Sequence, residues 1–493
     1  MAASPVLIAD RHYAPERLGR VLVLGLGKSG RAAACYCLDF LGDRVENLAV
    51  AAGSCNDAAQ EFARDIEERG AEVLFDHYEI EGTYDLCIAS PGISQFSDFY
   101  RSAVAASTEV ISEVEFAWRE SKASTRWVAV TGTNGKTTTT ALTAHVLQAC
   151  GVRALAVGNI GDTCLAAVAE DDAADVFVAE VSSYQLASTN RFAPNVAVLL
   201  NITPDHIKWH KTHEAYVAAK LKVFANLAQV DGSVCVLDAT NDEVRKQVRI
   251  FRAQTAAQRG FEYLPLGCAR GLDASMRDAC GSDNAAYLRD GMLHVDFRDE
   301  SYDVVRADAL QVRGEHNASN ALAAACVALS LGLEIADIRA GLESFKALEH
   351  RIEPCGSIAG VACYNDSKAT NVDATLKALA AFGEVPPIVL LGGDDKGTDL
   401  TDLVVAAEAH CKAVVCFGAA APRFFEAFEP ASCPHFLAGC LESALDCALD
   451  VAIAGDVVML SPACASFDEF TCFEQRGEAF KKLVASRAAV RGA

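Results

Sequence analysis

The sequence predicts an α/β protein of three domains built on largely parallel sheets. Apolar runs of strand length alternate with helical patterns almost throughout. Two glycine-rich turns each follow an apolar run and precede a helical one, at 25–30 and 132–137. The length, 493 residues, exceeds what one core organises.

The first cycle begins Arg20-Val-Leu-Val-Leu-Gly25-Leu-Gly27-Lys-Ser-Gly30 and runs into a helical stretch. This G-x-G-x-x-G after a strand marks a dinucleotide-fold-like domain, and alone it is a weak signal. Another strand, Leu86-Cys-Ile-Ala-Ser-Pro-Gly92-Ile, ends the region in a turn. The polar stretch 119–126 precedes a new strand, so the first domain is drawn at 1–112.

The second domain, 113–347, opens with a strand at 127–130, the segment Thr131-Gly132-Thr133-Asn134-Gly135-Lys136-Thr137-Thr138 and a helix at 138–150. Backbone N–H groups at such a turn and the positive end of the helix face a triphosphate; Lys136 adds a charge and the Thr137 hydroxyl a Mg²⁺ ligand. Val130 stands where the usual pattern has its first glycine. The segment reads as a P-loop binding ATP or a relative, making the central domain a P-loop ATPase. Further strands are expected at 175–181, 195–201 and 232–238, a hairpin around Asp290-Gly291, and helices over 316–345. The third domain, 348–493, repeats the alternation and is again dinucleotide-fold-like: strands at 361–365, 388–391, 413–417 and 457–460, with helices between and to the end. There is no short-period repeat.

Composition narrows the partners. A formal charge of −23, with no Lys/Arg stripe, argues against nucleic acid. No apolar run approaches a membrane span, and residues 1–20 lack a signal-peptide core, so a cytoplasmic protein with no membrane partner is expected. The 19 cysteines include no C-x-x-C pair, the closest being Cys35 and Cys37; most read as small, reduced core residues.

Four clusters lie where a reaction driven by ATP needs them, each with a plainer alternative. Glu180, at a strand end, is placed to hold Mg²⁺ or merely caps the strand. His206 and His210 have the i, i+4 spacing of a zinc pair, but Pro204 makes the preceding stretch a turn and the sure helix starts only near 212; one functional histidine is the better reading. Lys220 lies on that helix among small and apolar residues, as a functional lysine or a snorkelling surface one. Asn317 and Asn320, at i, i+3, share a helix face suited to an adenine edge, with N-capping the rival for Asn317.

Taken in order, Gly132-Thr-Asn-Gly-Lys-Thr-Thr, Gly158-Asn-Ile-Gly161, Glu180-Val-Ser-Ser, Asp205-His206, Ala218-Ala-Lys220 and His316-Asn-Ala-Ser-Asn320 resemble the motifs of the Mur ligase family over essentially the whole chain. The last third resembles the members that add D-glutamate: Leu348-Glu-His-Arg351, Asn365-Asp-Ser-Lys368-Ala-Thr370-Asn, Leu391-Gly-Gly-Asp394-Asp-Lys396, Ser461-Pro-Ala-Cys-Ala-Ser466-Phe467 and Cys472-Phe473-Glu-Gln-Arg-Gly477. The resemblance implies amide-bond formation at the expense of ATP in peptidoglycan precursor synthesis. UDP-N-acetylmuramoyl-L-alanine and D-glutamate are the implied substrates, and the protein is expected to be a monomer.

The resemblance also implies roles. Gly132, Thr133, Asn134, Gly135, Lys136, Thr137 and Thr138, with Asn317, Asn320, Arg351, Asp366 and Lys368, would hold the nucleotide. Lys28, Ser29, Gly92, Asn159 and Ser182 would meet the UDP-substrate, and Thr370, Lys396, Ser466, Phe467 and Phe473 would meet D-glutamate. Two Mg²⁺ sites are implied, with Thr137 and Glu180 at one, and His206 and a carbamylated Lys220 at the other. Lys136, His206 and Lys220 are the implied catalytic set, completed by closure of the third domain. After the second strand the family has an acidic residue for the uridine end; here 48–54 carries none, and the next carboxylate is Asp57. The rivals are a Mur-type or folylpolyglutamate-type ligase for another amino acid, against which the 461–470 run speaks, and a nicotinamide-dependent oxidoreductase, which leaves Lys136, Glu180 and His206 unexplained.

Overall fold

The computed structural model describes the chain except residues 1–4, 54, 56, 77–78, 171–173, 268–281, 313, 347, 381, 383–384, 396 and 492–493. Among the described residues the strands form three sheets. The chain divides into two compact units, Met1–Ala309 with Ser319–Ser344, and Leu310–Ala318 with Phe345–Ala493.

The first sheet holds β1 (Gly19–Leu24), β2 (Val45–Ala51), β3 (Glu72–Leu74), β4 (Tyr84–Ala89) and β5 (Ser107–Ser112), all parallel in the order β3-β2-β1-β4-β5. The order reverses between β1 and β4, which opens a crevice at their C-terminal ends. The glycine fingerprint lies there for steric reasons. Gly25 has φ +95°, and a Cβ on Gly30 would fall 1.8 Å from the Gly25 carbonyl oxygen. Lys28 and Ser29 open the helix Lys28–Asp39 that leaves this turn.

The helix Glu113–Glu120 joins the first sheet to the second, and every one of its residues is buried. Ser112 caps it by accepting from the Glu115 N–H. Its charges are answered from both sides. Glu120 takes both Arg44 N–H groups, at 2.7 and 2.8 Å, and the Tyr36 hydroxyl at 2.9 Å. Arg119 pairs with Glu109 and Glu115, and Glu115 also accepts the Asn190 and Arg191 N–H groups. One apolar cluster runs from Val21 and Val23 through Phe116 and Trp118 to Trp127 and Phe192.

Glu113 is the exception in this helix. Its Oε1 accepts the Leu165 N–H at 2.6 Å, while Oε2 has no partner among the described residues. Burial lifts its carboxyl to about 7, against an ordinary 4.5. The native state thus keeps a proton that the unfolded chain has released. The stability this lends is complete below about pH 4.5 and is lost as the pH rises through 7, by roughly 3 kcal/mol. Glu113→Gln keeps the acceptor without the charge, so urea denaturation at pH 5 and pH 8 should show a flatter pH dependence for the variant. An unchanged dependence would contradict this.

The second sheet holds β6 (Arg126–Thr131), β7 (Ala154–Gly158), β8 (Val176–Glu180), β9 (Val196–Leu199), β10 (Val234–Asp238), β11 (Glu262–Gly267), β12 (Ala285–Arg289), β13 (Met292–Phe297) and β14 (Glu300–Arg306). The order is β14-β13-β12-β11-β10-β9-β6-β8-β7, parallel from β7 to β12 and antiparallel at β12-β13-β14. The expected hairpin turns on Asp290 and Gly291, both with positive φ, as a two-residue turn demands.

The third sheet holds β15 (Glu353–Ile358), β16 (Val361–Asn365), β17 (Ile388–Gly392), β18 (Ala413–Phe417), β19 (His435–Leu437) and β20 (Val457–Ala463), in the order β15-β16-β20-β17-β18-β19. Only the β15 edge is antiparallel. Apolar clusters cover both faces, as a doubly wound sheet requires.

Candidate active site

β6 lies between β8 and β9, so the glycine turn at its end is flanked by the ends of both neighbours. Val130 occupies the expected first-glycine position because it is still inside the strand, paired with Glu180 and Val198. The turn begins two residues later. Gly132 has φ +157°, with Leu200 3.0 Å from where a Cβ would stand, and Gly135 (φ +84°) leads into the helix Lys136–Ala149.

The loop is pinned by the segment that follows β9. The Asn201 side chain accepts the Asn134 N–H at 2.8 Å and donates to its carbonyl at 3.0 Å, and the Asn201 carbonyl accepts the Thr133 N–H. The Thr133 hydroxyl accepts the Thr203 N–H and lies 2.8 Å from the Tyr216 hydroxyl. From the helix side, Asn320 Oδ1 accepts the Thr139 hydroxyl and lies 2.9 Å from where a Cβ on Gly135 would be. Asn320 thereby supports the loop itself, a role the adenine-edge reading did not contain. Thr137 is half-buried and Thr138 buried, both in the first helical turn. Lys136 donates to the Thr133 carbonyl at 2.8 Å.

Glu180 ends β8 with its carboxylate buried. Oε1 accepts from the Asn159 side-chain amide at 2.9 Å, and Oε2 has no partner among the described residues. A buried carboxylate oxygen left open beside a phosphate loop fits a Mg²⁺ ligand and is costly otherwise. Ser182 is engaged in a capping box with Gln185 at the start of the helix Ser183–Ala187.

Lys220 is 2% exposed, which rules out the snorkelling reading. Its Nζ donates to the Gly132 carbonyl at 2.6 Å and lies 4.9 Å from the Tyr216 ring centroid. Burial, reinforced by the positive charge of Lys136, holds its pKa well below the ordinary lysine value.

His206 stands at the N-cap position of a short helix, Ile207–His210, which begins before the helix expected near 212. Its Nδ1 lies 2.7 Å from the Tyr184 hydroxyl. His210 is buried, with Nε2 2.9 Å from the Ser183 hydroxyl, and burial lowers its pKa to about 4. Each histidine is thus held by a hydroxyl of its own. The described residues do bring Glu349, His350 and Glu478 close enough to share an ion. The Lys481 ammonium already sits there, 2.6 Å from Glu478 and 3.6 Å from Glu349.

In the first sheet, the turn after β4 carries the exposed Gly92, and the Ser90 hydroxyl reaches the Gly25 carbonyl at 3.3 Å. Lys28, Ser29 and Gly92 therefore belong to the crevice at the ends of β1 and β4.

The helix Glu315–Ser330 starts two residues before Asn317, so Asn317 is within the first turn and is not the N-cap. Asp366 accepts the Ser461 hydroxyl at 2.7 Å and the Ile352 N–H beside Arg351, and burial pushes its carboxyl up to about 7. The Lys368 ammonium lies 3.9 Å over the Phe473 ring. Thr370 follows in the same turn, its N–H on the Lys368 carbonyl. Asp394 and Ala465 exchange backbone hydrogen bonds, which sets the end of β17 beside buried Ser466 and 70%-exposed Phe467. Lys396 lies outside the described residues.

Sequence reasoning assigned no role to Asn201, Tyr184, Tyr216 or Arg476. Buried Arg476 donates to the Ser367 hydroxyl and carbonyl and to the carbonyls of Cys464 and Ala465, tying the Asp366–Thr370 turn to the Ser466 loop. An arginine inside an otherwise unremarkable helix start was the available signal.

These features define a P-loop nucleotide-binding enzyme with a carboxylate and a desolvated lysine converging on the loop. Two family models match the chain: Mur ligase middle domain over 130–328, and Mur ligase, glutamate ligase domain, over 350–464. The UDP-N-acetylmuramoylalanine–D-glutamate ligase of Thermoanaerobacter pseudethanolicus is 37% identical over 473 residues, covering 94% of this chain and 98% of the relative. That of Salinibacter ruber is 38% identical over 476 residues, covering 95% and 98%. The solved MurF ligase from Thermotoga maritima in complex with ADP shares the fold, with a TM-score of 0.58 at 17% identity over 90% of this chain and 96% of its own. The chain belongs to the Mur ligase family.

Proposed function

We propose that the protein is an ATP-dependent ligase that adds D-glutamate to UDP-N-acetylmuramoyl-L-alanine, releasing ADP and phosphate, in cytoplasmic synthesis of peptidoglycan precursors. The relatives' names support the substrates. The observation that carries the chemistry is the convergence of Lys136 and Lys220 on the loop carbonyls of Thr133 and Gly132, beside the open oxygen of Glu180.

A carboxylate resists attack by an amine until it is activated. The alanine carboxylate attacks the γ-phosphorus in line, ADP leaves, and an acyl phosphate forms. The D-glutamate amine then adds to its carbonyl, and phosphate departs with the amide bond made. The loop N–H groups of 132–138 cradle the phosphates, and Lys136 turns from the Thr133 carbonyl to the transferring oxygens. Asn159 and Ser182 position the acceptor end, with Lys28, Ser29 and Gly92 on the diphosphate and uridine side. Thr370, Lys396, Ser466, Phe467 and Phe473 hold D-glutamate, and Asn317, Arg351, Asp366 and Lys368 meet the nucleotide.

Thr137 and Glu180 would hold the nucleotide's Mg²⁺, and His206 with Lys220 a second one. An ammonium does not fit a cation site, so Lys220 serves there only as a carbamate formed from its neutral amine and CO₂. Bound Mg²⁺ neutralises phosphate charge and polarises the phosphoryl group. The three domains of this reading are 1–112, 113–347 and 348–493.

The test is phosphate release from ATP with UDP-N-acetylmuramoyl-L-alanine and, in turn, D-Glu, L-Glu and L-Lys. Release is expected with D-Glu, at a rate at least ~10-fold above that with L-Lys, which lacks the side-chain carboxylate, since one charge-assisted contact to a carboxylate is worth about 1.5–3 kcal/mol. Equal release with L-Lys would refute the amino-acid assignment.

A further inference from the structure

The last helix, Phe473–Arg491, carries at its fourth residue a guanidinium that is 1% exposed. Four hydrogen bonds hold it. Arg476 Nε donates to the Ser367 hydroxyl at 3.0 Å, and Nη2 to the Ser367 carbonyl at 2.9 Å. The Cys464 carbonyl takes Nη2 at 3.0 Å, and the Ala465 carbonyl takes Nη1 at 2.9 Å. The Ser367 hydroxyl passes the contact on, donating to the Phe473 carbonyl at 2.8 Å. Gly393 makes the room. A Cβ there would stand 2.9 Å from Nη1 and 2.3 Å from the Ala465 carbonyl oxygen.

None of the four acceptors is a carboxylate. Burial lowers the pKa of Arg476 to about 10, so the group is still a cation at neutral pH. A buried cation answered only by neutral groups is costly, and a simple brace does not require one. What the guanidinium offers is a planar fork whose donors point in fixed directions, so the segments accepting from it keep fixed separations. Ser367 is three residues before half-buried Thr370, and Cys464-Ala465 directly precede buried Ser466. Through the Ser367 hydroxyl the fork also reaches Phe473.

We infer that Arg476 is a positioning residue for the amino-acid substrate: its fork sets the spacing between Thr370, Ser466 and Phe473, which lie on three separate stretches of chain. The inference rests on the amino-acid role proposed above for those residues. Asp366, assigned to the nucleotide, is held independently by the Ser461 hydroxyl and the Ile352 N–H. Loss of the fork should therefore reach amino-acid binding first.

The experiment is steady-state phosphate release by the full chain, each of the three substrates varied in turn, for the wild type, Arg476→Lys and Ser367→Ala. Lysine keeps the charge and loses the fork, while Ser367→Ala removes only the hydroxyl that links Arg476 to Phe473. The KM for D-Glu should rise at least ~10-fold in Arg476→Lys and about threefold in Ser367→Ala, with those for ATP and the UDP-substrate within about twofold of the wild type. An unchanged KM for D-Glu in Arg476→Lys would overturn the inference. So would a parallel rise in all three KM values, the mark of a brace that serves the fold alone. If urea denaturation shows that Arg476→Lys does not fold, Ser367→Ala decides by the same comparison. A wild type that releases phosphate with L-Lys and not with D-Glu refutes the substrate reading, and the inference falls with it.

Discussion

Lys136→Ala is expected to lower phosphate release at least ~100-fold while the affinity for UDP-N-acetylmuramoyl-L-alanine stays within about twofold. Lys136 is the first residue of its helix, and its ammonium contacts the loop carbonyl of Thr133. Alanine leaves the helix start, the left-handed Gly135 and the Asn201 pins in place, so the loop keeps its shape and loses only the charge. Removing a preorganised charge from a phosphoryl-transfer site costs about 10²–10³-fold in turnover. The UDP end is assigned to the crevice of the first sheet, which Lys136 does not line. Calorimetry with the UDP-substrate and steady-state kinetics with ATP separate the two effects. Parallel loss of both would place the UDP-substrate on the loop as well.

Lys220→Arg is the second large effect. With Lys220 as a simple cation, arginine would keep the charge and much of the activity. With Lys220 as a carbamate, arginine stays protonated, captures no CO₂ and leaves a cation where a hard anionic ligand is needed. The buried amine, its pKa depressed by desolvation and by Lys136, is chemically suited to the second course. Turnover should fall at least ~100-fold in Lys220→Arg, and wild-type turnover should drop in bicarbonate-stripped buffer and return on its restoration. A fully active arginine variant would dispose of the carbamate and leave the ligase assignment standing.

The elements that carry chemistry were legible because their constraints are local. Strands at 361–365 and 413–417 follow from continuous apolar runs, and the Asp290-Gly291 turn from its requirement for positive φ. The loop at 132–137 needed only its glycines and Lys136. Partnership was illegible where it depends on distant pairing. Asn201 is an ordinary strand-end amide until β9 is known to lie beside β6, and Asn320 reads as one of two amides on a helix face until Thr139 and Gly135 are set against it. The short helix at Ile207–His210 escaped because four residues are too few to show a period. Lys220 was ambiguous for a related reason: a lysine among alanines is snorkelling or buried according to what covers it, here the loop carbonyl of Gly132.

The buried helix Glu113–Glu120 bears on modularity. It carries the boundary drawn at 112/113, yet its side chains belong to neither side alone: Glu120 is neutralised by Arg44 of the first sheet's domain, Arg119 by Glu109 of β5, while Glu115 and Glu113 accept N–H groups from the central domain. Cutting the gene at residue 112 would strand Glu120 without its cation, and breaking a buried pair of this kind costs roughly 3–5 kcal/mol. The crevice at the ends of β1 and β4 is consequently no detachable cassette. Recombination with other ligases is better made within an exposed loop of the first domain than at the seam the linear order suggests.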